Sequence, residues 1–277
     1  MKLFYLAFIG LTASVTQALA FEIPKDTAKI VFYNQKGSPI LSLEDKNHDG
    51  HFEKKIVFKK GLPYKVLLDK NKNNVPEKIA VLDPQGQVKE LIFDRNEDRR
   101  PDKWQIYNKG RLTEAEEDRN FDGKKDLISF FDTNGKIKKI LRDDDYDGFF
   151  EIEEVFKGKI REVLIKSPKN KAVKEKLVYD GKQLTSRLID KDLDGHFELE
   201  ERFNQKGQKF LLISREGKKV KVFCFDEEEK PRLAFVDQDK DGLFKKEYSY
   251  TEKAWKDINP INLEAVINIC ESKKNGK

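Results

Sequence analysis

The chain has 277 residues, 55 of them Lys or Arg and 50 Asp or Glu, for a formal charge of +5. So slight a basic excess calls for no nucleic-acid partner. With 38% charged residues and a mean hydropathy of −0.74, the sequence is too polar for a thick hydrophobic core of this length and favours a thin or elongated architecture.

The chain opens with Lys2, then an uncharged run from Leu3 to Ala20 that closes on Ala18-Leu19-Ala20. A short apolar run ending in an A-x-A site predicts a secretory signal peptide cleaved after Ala20. It is short for a bilayer span, and no stop-transfer flank follows. The expected mature chain starts at Phe21, has no membrane span, is periplasmic or secreted, and carries +4 once Lys2 is gone (54 bases against 50 acids).

From there an acidic nonamer recurs, starting at Asp45, Asp69, Asp94, Asp118, Asp143, Asp190 and Asp237, in steps of 24, 25, 24, 25, 47 and 47 residues. Degenerate copies around Ser167–Lys171 and Ser214–Lys218 fill the two long steps, so the unit is about 24 residues throughout. Gly37, Gly61, Gly86, Gly110, Gly135, Gly158, Gly181 and Gly207 fall midway between loops as turn candidates. Runs such as Lys55–Phe58, Lys136–Leu141 and Lys159–Ile165, rich in Ile, Val, Leu and Phe, read as strands. Helices are excluded by spacing, since a glycine splits each 15-residue interval into halves too short for stable helices.

These elements predict an all-β fold of tandem hairpins, a coiled antiparallel meander or solenoid with the acidic loops along one edge. The alternative is a five-bladed β-propeller with two units per blade. Residues 21–256 are expected to form this repeat domain after the signal peptide of residues 1–20. Residues 257–277 change character. Asn259-Pro260 looks like a helix start, and Leu263, Val266, Ile267 and Cys270 follow at helical spacing. A short helical cap is expected there. Cys224 and Cys270 are the only cysteines, and in an oxidising compartment they either form one disulfide, pinning that helix to the strand around Val220–Asp226, or stay as two buried thiols.

The loops carry the chemistry. Calcium takes six to eight oxygens, and a DxDxDG loop winds donors at positions 1, 3, 5 and 9 around one point, with a backbone carbonyl from position 7. The best copies are Asp143, Asp145, Asp147, Glu151 and Asp190, Asp192, Asp194, Glu198, with Glu154 and Glu201 at position 12. Next come Asp45, Asn47, Asp49, Glu53 and Asp118, Asn120, Asp122, Asp126. The last copy has Asp237, Asp239 and Asp241 but Lys245 at position 9, so Glu247 would have to reach the ion. The Asp69 and Asp94 copies put Asn74 and Arg99 where the turn glycine belongs, and are expected to be empty or weak. The aromatics at position 8, Phe52, Phe150, Phe197 and Phe244, are expected to pack beside the sites.

The nonamer resembles the calcium loops of thrombospondin type 3 repeats, dockerins and FG-GAP/VCBS repeats, and the hairpin step is similar to that of bacterial MORN-variant repeats, over about residues 29 to 251. The dockerin likeness stops at the loop, since dockerin flanks are helical. What the resemblance implies is an exported calcium-stabilised scaffold or adhesion module, with no catalytic residue carried over.

No GxSxG elbow, HExxH, phosphate loop or CxxC is present. The three histidines, His48, His51 and His196, all lie within acidic loops. Trp104 and Trp255 are read as packing residues ahead of sugar-stacking ones. The expected function is therefore non-enzymatic: calcium binding and a scaffold for an unidentified protein or glycan at the cell envelope. A secreted carbohydrate-active hydrolase and an immunity or inhibitor protein are the alternatives.

Overall fold

The computed structural model describes residues 28–215, 217 and 219–272, with the backbone of 3–7. The expected cleavage site at Ala20 lies outside the described residues. No helix among them is long and apolar enough to cross a membrane.

The chain divides into two compact units, residues 1–137 and 138–277. The first holds β1 (Leu3–Ala7), β2 (Lys29–Tyr33), β3 (Pro39–Glu44), β4 (Lys54–Lys59), β5 (Leu62–Leu68), β6 (Lys78–Leu82), β7 (Val88–Phe93), β8 (Lys103–Asn108), β9 (Arg111–Glu117) and β10 (Leu127–Phe131). β1 runs parallel to β2, and from β2 to β10 each strand pairs antiparallel with the next. The second unit continues with β11 (Ile137–Arg142), β12 (Ile152–Lys157), β13 (Ile160–Lys166), β14 (Val173–Asp180), β15 (Gln183–Ile189) and β16 (Leu199–Phe203). It ends with β17 (Lys209–Ser214), β18 (Val220–Phe225), β19 (Pro231–Asp237), β20 (Leu243–Ser249), β21 (Ala254–Asn262) and the helix α1 (Leu263–Ser272). Here too each strand from β11 to β21 pairs antiparallel with its successor. The all-β meander is thus as predicted. The propeller is excluded, because blades would break the ladder every four strands and neither unit has such a break.

Two kinds of turn reverse the strands on the edge opposite the acidic loops. In one, an Asn or Asp side chain accepts two backbone N–H groups: Asn34 Oδ1 takes those of Lys36 (2.9 Å) and Ser38 (3.0 Å), and Asp83 does the same for Gln85 and Gln87. In the other, two residues suffice. Lys60 and Gly61 have φ of 53° and 79°, as do Lys109 and Gly110 at 49° and 74°, the doubly left-handed geometry that matches strand twist. The two kinds alternate through the first unit, so its larger period is two hairpins.

A sheet with no second layer must protect its faces with its own side chains. Lysine stems do this while their ammonium groups pair across strands. Glu44 on β3 takes Lys29 from β2 and Lys54 from β4, both at 2.9 Å. Glu153 likewise takes Lys139 at 2.7 Å and Lys166 at 2.6 Å.

Among the described residues, only the C-terminal end has a conventional core. Leu211 and Ile213 on β17, Val222 and Cys224 on β18, and Leu233 and Phe235 on β19 alternate onto one face. Val266 and Cys270 of α1 cover it, and a Cys224–Cys270 disulfide ties the helix down. The expected pinning of helix to strand is therefore present. The helix starts later than expected, however: Asn262 is its cap, accepting the Ala265 N–H at 2.9 Å. Asn259 and Pro260 belong to β21, in a register break between the Phe244–Ile261 and Lys246–Asp257 pairs. A proline without an N–H is tolerated there, at a bulge in the last strand.

Candidate metal centres

All seven nonamers fold alike. The first aspartate is buried in every copy, from 1% exposed at Asp45 to 7% at Asp94. Its Oδ2 accepts the N–H of position 6 in every copy, at 2.8 Å from Gly50, Gly123 and Gly148, 2.9 Å from Arg99 and Gly195, and 3.0 Å from Asn74 and Gly242. Position 5 then accepts the N–H of position 7, as Asp194 does from His196 at 2.7 Å. These bonds wind the chain so that side-chain oxygens point inward.

The winding requires left-handed backbone at positions 4 and 6. In the Asp190 loop Leu193 has φ of 64° and Gly195 of 94°. Glycine reaches such angles without strain, yet Asn74 (65°) and Arg99 (73°) adopt them too. The loop hydrogen bonds therefore outweigh a cost of about 1 kcal/mol at Arg99.

Four loops bring three or more carboxylates within 4.8 Å of one another: Asp190, Asp192, Asp194 and Glu198; Asp45, Asp49 and Glu53; Asp143, Asp145 and Glu151; Asp237, Asp239 and Asp241. Asp147 lies outside its group by this measure, although its Oδ1 accepts the Phe149 N–H at 2.8 Å. The donor sets are all oxygen, which suits a hard cation. Buried oxygens fit the same reading, since Oδ1 of Asp94, Asp118 and Asp237 and Oε2 of Glu151 are buried without a hydrogen-bond partner, a costly state that an ion would relieve.

The Asp118 loop does not form such a group. Arg119, at position 2, holds the ninth-position carboxylate, with Nε 2.7 Å from Asp126 Oδ1, while Asn120 and Asp122 keep the turn. Arg95 does the same to Asp102 in the Asp94 loop. The sequence contains this signal: the two loops with Asp at position 9 have Arg at position 2, whereas Glu53, Glu77, Glu151 and Glu198 are matched by Lys46, Lys70, Asp144 and Lys191. The shorter acid leaves room for the guanidinium.

The three acids expected to close the shell from beyond position 9 do not reach it. Glu154 is held by Arg142 (3.3 Å) and Arg161 (3.1 Å), Glu201 by Arg187 (3.4 Å) and Lys209 (3.3 Å), and Glu247 by Lys256 (2.8 Å). A helix would return position 12 toward the loop, but here a strand begins after position 9 in the Asp143 and Asp190 loops, and by position 7 in the Asp237 loop, and carries these residues away at roughly 3.3 Å per residue. The position-8 aromatics pack to different degrees, with Phe244 buried and Phe52, Phe150 and Phe197 half-buried.

The loops of the first unit also touch one another. The first N–H of one loop donates to the ninth carbonyl of the loop before it: Asp69 to Glu53 at 2.8 Å, Asp94 to Glu77 at 3.2 Å and Asp118 to Asp102 at 2.8 Å. His51 Nε2 lies 3.2 Å from Asp69 Oδ2, and Asn73 Nδ2 donates to Glu97 Oε2 at 2.6 Å. These links follow from stacking rather than from any one loop's pattern, so a single copy cannot announce them. Backbone and lysine hydrogen bonds hold loop carboxylates below the usual range: at Asp49 the Lys72 bond dominates, at Asp122 the Lys124 N–H.

No protein-family model matches the sequence, and none of the curated proteins does. Among solved structures, an S. aureus TarM variant aligns over 47% of this chain and 19% of its own, with 11% identity and a TM-score of 0.17. A Photorhabdus luminescens Tc holotoxin pore aligns over 80% and 15%, with 12% identity and a TM-score of 0.21. A porin-like protein from Bacteroides uniformis aligns over 74% and 86%, with 9% identity and a TM-score of 0.20. The chain spans a fifth or less of the first two, and likenesses this low carry no argument about fold or function.

Proposed function

We propose that this chain is an exported calcium-binding repeat protein, a scaffold for protein or glycan contacts at the cell envelope rather than an enzyme. The observation that carries the reading is the Asp190 loop, where Asp190, Asp192, Asp194 and Glu198 gather four carboxylates within 4.8 Å. Their charge is uneconomical without a cation, and the backbone carbonyl of His196 stands at the position that supplies a further oxygen. Calcium suits this set better than magnesium, which demands a near-octahedral cage and retains its waters. The apolar run before Ala20 supports export.

The loop carboxylates that shift do so downward, the wrong direction for a general acid. Glu114 is pushed up, by burial and by neighbouring Glu116. For partner contacts, Trp255 is 53% exposed and stands 5.2 Å from Tyr248, which is 5.0 Å from Tyr250. Such an aromatic cluster favours a glycan or protein contact at the β20–β21 hairpin. Calcium calorimetry on the full chain tests the reading: Asp143→Asn and Asp190→Asn should each remove one ion, and a wild-type chain that gives no heat with millimolar calcium would refute it.

A further inference from the structure

We propose that two lysines are tethered stand-ins for the metal ion, Lys245 within the Asp237 loop and Lys72 across loops at the Asp45 group, and so decide which loops take an ion. This rests on the ion-binding reading above and adds the residues that set occupancy.

The Asp237 loop is wound like the others, with Lys240 and Gly242 at φ of 57° and 85° and the Gly242 N–H on Asp237 Oδ2. It differs at position 9, where Lys245 replaces the usual acid. The Lys245 ammonium reaches back between the carboxylates, 3.0 Å from Asp239 Oδ2 and in contact with Asp241 Oδ2. One residue thus removes a ligand and supplies a positive charge in the same place. The neutralisation is incomplete: Asp237 Oδ1, at the floor of the loop, is buried with no hydrogen-bond partner. An ammonium on the rim leaves that oxygen unmet, whereas an ion at the centre would bind it.

Lys72 does the same from outside. It stands at position 4 of the Asp69 loop, whose Asn71, Asn73 and Asn74 leave that loop poor in charge. Its ammonium contacts Asp49 Oδ2 of the preceding loop, and Asp49 is one of the three acids of the Asp45 group, with Asp45 and Glu53. Because each lysine is tethered, its local concentration is high. Half-exposed Lys72 can leave when a doubly charged ion competes, whereas Lys245 also stands where its loop's ninth-position acid would be, so that loop stays without an ion.

The test is calcium titration of the full chain by calorimetry, with ion counting by native mass spectrometry, on wild type, Lys245→Glu, Lys245→Gln and Lys72→Gln. Lys245→Glu should gain one ion and Lys245→Gln should gain it more weakly. Lys72→Gln should tighten one existing site about tenfold, the scale of removing one competing exposed charge. Unchanged melting in chelator shows that each variant folds, and the near-isosteric Gln keeps the question open to test if Glu does not. A wild type that binds calcium, with all variants matching it in count and affinity, overturns the inference alone. A wild type and variants that all bind none overturn the ion-binding reading with it.

Discussion

The two ends of this molecule bury different things. In residues 28–137 the buried side chains are mainly acids, Asp45, Asp69, Asp94, Asp102, Glu116, Asp118 and Asp126, beside only Ile30, Val31, Val75 and Val81 among apolar residues. In residues 210–270 they are mainly apolar, Phe210, Leu211, Ile213, Val222, Cys224, Phe235, Phe244 and Val266 beside only Asp237 and Glu247 among acids, sealed by a helix and a disulfide. The first region is held by wound loops and strand ladders, the second by a hydrophobic core. The same meander is thus stabilised in two ways, and the first depends more on the charge state of its loops.

The largest effect expected is at the core. Phe235→Ala should destabilise the C-terminal unit by about 3–5 kcal/mol, read as a lowered urea midpoint for Trp255 fluorescence, with amide exchange in β4–β9 unchanged. Reducing the Cys224–Cys270 bond, which closes 46 residues, should cost the same unit about 3–4 kcal/mol. A melt unaffected by reductant would show that the helix does not depend on the bridge. In the first unit, Asp118→Ala removes the buried carboxylate that accepts the Gly123 N–H and should cost about 1–3 kcal/mol, seen as faster exchange of the amides at 118–126 with the C-terminal core untouched.

Acid should act on the strands between these two regions. Burial raises the pKa of Glu153 and Glu162, but lysines from adjacent strands outweigh it and hold both below the usual carboxylate value. A depressed folded value means that the stabilisation is present above the unfolded pKa of about 4.3 and is lost as pH falls through the lower folded one. Cross-strand pairing should therefore weaken below about pH 4, with Glu162→Gln removing part of that acid limb in a pH series of melts.

Much of this was legible in the sequence because repetition multiplies a weak signal. One DxDxDG is an ordinary turn, but seven in phase with midpoint glycines fix strand, turn and loop together. The disulfide was legible as one of two states, since two cysteines allow only one pair. The misplaced helix start has a physical cause: Asn259-Pro260 and Asn262 both carry cap-forming residues, and pairing of β21 with β20 as far as Asn262 decides between them, which local pattern does not express. Glu154 and Glu201 were assigned as position 12 of the EF-hand loop pattern and Glu247 as a substitute for the acid that Lys245 displaces, whereas the strands that follow the loops set their direction here. The roles of Arg95, Arg119 and Lys72 depend on which atoms lie across a loop or in its neighbour, visible beforehand only as the pairing of Arg at position 2 with Asp at position 9.

The most direct test of the account is a thermal melt of the full chain in chelator and in millimolar calcium, combined with amide exchange at Gly148 and Gly195. Ion-filled loops predict a higher melting temperature in calcium and slower exchange at those two glycines, with the β17–β20 core amides little changed. Superimposable melts and identical exchange in the two conditions would contradict it.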